Sequence, residues 1–108
     1  MKFSDVAYLD YLREEINKQE PTVQLQKNAF DRIDAEVKRL DWELKVAKAS
    51  LHPTSEAEVD LYNVKVNQYN AKLNESKRAL DVYNQGVTLL NRKINDYNTK
   101  LQSVGVPE

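Results

Sequence analysis

Leu51-His52-Pro53-Thr54-Ser55-Glu56-Ala57-Glu58 lies at the middle of the chain and decides how the rest is read. Pro53 has no N–H to donate and cannot extend a preceding helix, so a helix approaching it stops by Leu51. Ser55 followed three residues later by Glu58 has capping-box spacing, which satisfies the free N–H groups at the start of a new helix. One helix therefore ends and another begins within a few residues. A connection this short makes consecutive helices antiparallel neighbours.

Outward from that turn, both directions carry the same rhythm. Backwards, Leu51, Ala47, Leu44, Leu40, Val37, Ile33, Phe30, Gln26, Val23, Gln19, Ile16, Leu12 and Leu9 step alternately by four and three, interrupted only by the two glutamines. Forwards, Val59, Tyr62, Val66, Tyr69, Leu73, Ser76, Leu80, Tyr83, Val87, Leu90, Ile94, Tyr97 and Leu101 do the same. This is an a/d heptad seam in each arm. The expected fold is all-α, a long antiparallel coiled-coil hairpin with arms at 4–51 and 55–102 and a turn at 52–54, forming a single domain that is either a whole protein or part of a larger one. Each arm is about 48 residues, or about 72 Å at about 1.5 Å per residue. Ser4 is the expected cap of the first arm, and Val104-Gly105-Val106-Pro107 the expected end of the second.

The pairing register can be tested, because in an antiparallel pair the numbers of facing residues add to a constant. Ala47 with Val59, Leu44 with Tyr62, Leu40 with Val66, Val37 with Tyr69 and Ile33 with Leu73 all obey one constant. The same constant sets Phe30 opposite Ser76, the bulkiest seam residue of one arm against the smallest of the other. It also sets Ile16 against Leu90, Leu12 against Ile94 and Leu9 against Tyr97. Flanking g positions pair Glu43 with Lys65, Glu36 with Lys72 and Glu15 with Lys93, while Lys27 with Lys77, on the other flank, is the one misfit. Pro21 falls at the outward f position, where an interior proline predicts a kink or break with the arms still paired, or else a separate short helix before it.

Composition narrows the function classes. The chain has 108 residues, 31% of them charged, with a net charge of -1, two glycines and no cysteine. That balance supplies no field to attract a phosphate backbone, so nucleic acid is not an expected partner. Without cysteine there is neither disulfide nor thiolate metal site. No run approaches the roughly 20 apolar residues of a membrane span, and no signal-peptide apolar run follows the first residues.

Arm two repeats Tyr-Asn at Tyr62-Asn63, Tyr69-Asn70, Tyr83-Asn84 and Tyr97-Asn98, with further asparagines at 67, 74, 91 and 95. Each of these tyrosines sits at d, so the ring is expected to fill the seam with its hydroxyl at the edge; the other reading makes the Tyr and Asn stripe a recognition surface for a polar ligand such as glycan. The run from Ser55 to Leu101, under half the chain, resembles the Tyr-Asn-repeat coiled coils of bacterial exported and envelope-associated proteins. The resemblance implies an envelope or secreted location in preference to a cytoplasmic one. Some such proteins carry a metalloprotease-like domain beside the coil, but no His-Glu-x-x-His occurs here, so that activity is not implied.

Leu25, Ala29, Ala79, Val82, Gly86 and Leu89 fall on the c and g side, with Thr22 beside Gly86. These are the candidate interface for a second hairpin, which would give a four-helix dimer. Trp42, at f, points away from the seam and suggests a further contact. His52, the only histidine, is a turn residue with no companion ligands for a metal. No cofactor, metal or catalytic residue is expected. The functional expectation is a non-catalytic spacer or adaptor acting through protein contacts or self-association. The alternatives are a helical-hairpin chaperone or secreted factor of a bacterial export system, and the polar-ligand binder.

Overall fold

The computed structural model describes residues 2–105, which form two helices, α1 (Phe3–Ser50) and α2 (Glu56–Gly105), joined by a short turn. The chain is an all-α two-helix hairpin, with helix limits within three residues of those expected. Val106 and Pro107, invoked above as the end of the second arm, lie outside the described residues; α2 continues through Gly105.

At the turn, Ser55 caps α2: its Oγ accepts the Glu58 N–H at 3.3 Å. The reciprocal half of the box is missing. Glu58 turns back to His52 Nδ1 at 3.0 Å, while the Ser55 N–H donates to the His52 carbonyl at 2.9 Å. At the end of α1 the Ser50 hydroxyl donates to the Val46 carbonyl at 3.3 Å, and Lys48 in the last turn complements the helix dipole, as Glu56 and Glu58 do at the start of α2.

Two expectations for α1 are corrected. Ser4 is not the cap: it lies within the helix, and Asp5 accepts the Lys2 N–H at 3.3 Å while its own N–H bonds the Lys2 carbonyl at 3.0 Å. Asp5 outcompetes Ser4 because a carboxylate three residues into a helix interacts with both the free N–H groups and the dipole. Nor does the helix break at Pro21, since α1 runs through it uninterrupted. Pro21 and Asn17 are both exposed, so the Asn17 carbonyl deprived of its usual donor can be satisfied by water.

The helices contribute to two compact units. The turn unit, Asn28–Asp81, holds the end of α1, the turn and the first half of α2. The terminal unit joins the α1 segment up to Lys27 to the α2 segment from Val82. Every stripe residue of α1 from Leu9 to Ala47, with Leu51 in the turn, is buried or half-buried, and so is every stripe residue of α2 except Leu80 and Leu101. Only Leu9, Leu12 and Val37 count as buried apolar residues among those described, and no described side chain is sealed completely. Two helices can bury a seam but not a deep core. Each such side chain contributes about 1.5–3 kcal/mol if fully buried, so the few seam layers carry most of the stability.

Ion pairs between the helices follow the expected register in each unit. Lys72 meets Glu36 at 2.8 Å in the turn unit, and Lys93 meets Glu15 at 3.8 Å in the terminal unit. Glu43, expected opposite Lys65, is held at 3.0 Å by Arg39 of its own helix. An i,i+4 partner on one helix is a shorter reach than one across the seam.

Candidate functional site

Of the residues singled out for an interface, Leu25, Val82, Gly86 and Leu89 belong to the terminal unit, and Ala29, Trp42 and Ala79 to the turn unit. Leu25 is 68% exposed, Val82 47% and Leu89 40%. Ala29 and Ala79 are half-buried. Trp42 is 65% exposed, in keeping with its outward f position. Gly86 alone is buried, and it is drawn inward by a contact the sequence reading missed.

Further exposed apolar side chains extend the pattern. In the terminal unit they include Phe3, Val6, Tyr8 and Tyr11, the two tyrosines stacked with ring centroids 6.4 Å apart; in the turn unit, Val46, Leu61 and Val64. Against the heptad, Tyr11, Leu25, Val46, Leu61, Val82 and Leu89 all occupy c, and Tyr8 occupies g. The opposite b and e positions are different. On α2, every b and e residue from Asp60 to Asn98 is Asp, Asn, Lys or Thr, and every one is exposed. All the asparagines of α2 are on that side. On α1, Phe3 and Val6 are the only apolar residues at b or e. A census of c positions in the sequence would have found Val46 and Leu61.

The layer missed by sequence reasoning lies in the terminal unit. The two glutamines that interrupt the α1 stripe converge on Gly86. Gln19, 9% exposed, donates its Nε2–H to the Gly86 carbonyl at 3.4 Å. Gln26 places Oε1 where a Cβ on Gly86 would stand; its Cδ is 3.1 Å and Val23 Cγ2 3.4 Å from that point. Glycine is required here by close approach and not by backbone angle, since no described glycine has positive φ. The Gln26 Oε1 is buried and no donor among the described residues reaches it. The signal was available as two stripe glutamines and the one glycine inside the second arm, but side-chain reach could not be read from spacing.

The charged groups are organised as solvent-facing pairs. In the turn unit Lys72 bridges Glu36 and Glu75, at 2.8 and 3.1 Å. The hydrogen bond from Lys72 holds the Glu36 carboxyl below its ordinary range, and Glu36, with Glu75, raises Lys72. Glu58 is lowered by His52. In the terminal unit Lys100 bonds Asp5 at 3.1 Å and lowers it, and also lies over the Tyr8 ring at 5.6 Å. Arg13 donates to the Tyr97 hydroxyl at 3.1 Å, which raises the guanidinium pKa. Among the described residues, no three His, Asp or Glu side chains gather closely enough to hold a metal ion, and no helix is long and apolar enough to cross a membrane.

Comparison with known protein families, with curated proteins and with solved structures found no match to the chain.

Proposed function

We propose that the protein is a non-catalytic interaction module, a coiled-coil spacer or adaptor, and that its primary partner is a second copy of itself. The observation that carries this reading is the division of the heptad: the exposed aliphatic and aromatic side chains Tyr11, Leu25, Val46, Leu61, Val82 and Leu89 stand at c, while b and e of α2 are uniformly polar. A helix pair that exposes apolar side chains on the c side and only polar ones at b and e of its second helix is suited to packing against another pair on the c side. In the terminal unit Leu25, Val82 and Leu89 supply the bulk, and two such faces would bring four helices together. The polar b and e positions disfavour association on the other side.

Size-exclusion chromatography with light scattering tests this reading. A mass near twice the 12.5 kDa of one chain is expected. Val82→Glu should return the protein to a monomer with its helicity intact. A wild-type monomer across the concentration range would remove self-association; a compact globule by small-angle scattering would remove the spacer.

A chaperone or secreted factor of a bacterial export system would use the same face to hold a foreign chain, and is distinguished by a stoichiometric co-purifying partner. The glycan reading is less favoured, because Tyr62, Tyr69, Tyr83 and Tyr97 are half-buried in the seam and offer only their edges. An envelope or secreted location rests on the Tyr-Asn resemblance and is tested by fractionating the native cells.

A further inference from the structure

A heptad seam has a weakness that its own regularity creates: sliding one helix by seven residues returns a to a and d to d. With tyrosine at d at 62, 69, 83 and 97 of α2, a slip by one heptad costs little in the seam of the terminal unit; in the turn unit the Phe30–Ser76 layer already opposes it. It would require only that one heptad next to the turn unwind, or that two chains exchange arms. Something aperiodic has to distinguish the native alignment from its neighbours.

We infer that the Gln19–Gly86–Gln26 layer is the register lock of the terminal unit. Three observations converge on it. Gln19 and Gln26 are polar residues at stripe positions where the other α1 stripe residues are apolar. Both meet the same residue of α2, one through the Gly86 carbonyl at 3.4 Å and the other through the space that a Cβ would fill. The layer also leaves the Gln26 Oε1 buried without a donor, a cost that an apolar residue at 26 would avoid. A residue that weakens the seam while matching one partner position has the properties of a specificity device.

The match is unique along α2. Its g positions read Lys65, Lys72, Ala79, Gly86, Lys93 and Lys100. A slip of one heptad brings Ala79 or Lys93 to the place of Gly86. Either puts a Cβ onto the Gln26 oxygen and expels the amide from its seat, so both neighbouring registers lose the layer. The lock does not depend on what the outer face binds.

The absence of native cysteine makes disulfide trapping a clean test. Ile16→Cys with Leu90→Cys reports the native register; Ile16→Cys with Tyr83→Cys or Tyr97→Cys reports the two slipped ones. In the otherwise native chain, oxidation should favour the native pair by about tenfold or more, and in Gln19→Leu/Gln26→Leu/Gly86→Ala the slipped pairs should form within about threefold of it. Trapping confined to the native pair in that variant overturns the proposal. Should the variant lose its helicity, a double-mutant cycle decides: the change in thermal midpoint on Gly86→Ala should be more favourable in Gln26→Ala than in the native background. Additivity would show that no seated amide exists and would overturn the lock.

Discussion

In the turn unit the seam runs through aliphatic and tyrosine layers with Val37 at its centre, and its one irregularity is steric: Ser76, only 6% exposed, where the register sets Phe30 opposite. In the terminal unit the irregularity is polar, the paired glutamines on Gly86, and the apolar burial shifts to Leu9 and Leu12 beyond it. The two units obey one heptad pattern and break it by different chemistry. Repetition supplies burial, and each unit adds one layer that does not repeat. A size mismatch can be met by repacking, whereas a buried amide is satisfied only by groups at defined positions, so the two devices should respond differently to substitution.

The largest effect should come from removing the buried apolar residues. Leu12→Ala should cost about 2–5 kcal/mol by urea unfolding followed by circular dichroism, and Val37→Ala less, since it deletes one carbon fewer. A greater loss at Val37 would place the weight of the seam in the turn unit. Next, Ser76→Leu should overpack its layer at a cost of about 1–3 kcal/mol, recovered in part by adding Phe30→Ala. No recovery would mean that Phe30 does not fill the space above Ser76. Ser55→Ala removes the α2 cap and should cost about 1 kcal/mol in the same assay, with the loss felt at the turn and not at the terminal layer.

The smallest effect is that of pH. Asp5, Glu36 and Glu58 have pKa values lowered in the folded state by Lys100, Lys72 and His52. Their contribution is therefore present above the unfolded values of about 4 and is lost as pH falls through the folded ones. Lys72, raised by Glu36, contributes fully below its unfolded value of about 10.4 and loses that contribution as pH rises through the folded one. Thermal midpoints should be level near neutrality and decline gently in acid. A sharp acid transition would show that these pairs matter more than their exposure suggests.

Much of this was legible in the linear chain. Pro53 and Ser55 define the turn, the alternating steps of three and four define both seams, and the antiparallel register, which sets g positions beside g positions, anticipates the Glu36–Lys72 and Glu15–Lys93 bridges. Burial by periodicity is a property of one helix and needs no knowledge of its neighbour. The exceptions turned on side-chain reach and exposure to water, which periodicity does not carry. Pro21 reads as a break until water access to the Asn17 carbonyl is known. Ser4 reads as a cap until Asp5 is seen to reach the Lys2 N–H. Glu58 completes a capping box on paper but finds His52 in space.

The sequence by itself determined that there are two helices, where they turn and which stripe each buries, because hydrophobic periodicity is local and repeats along each arm. Only the tertiary structure decided that Gln19 and Gln26 meet on Gly86 and that Glu43 turns to its own helix. Hydrogen bonds and close contacts depend on ångström-scale reach between side chains, and heptad spacing carries no such distances.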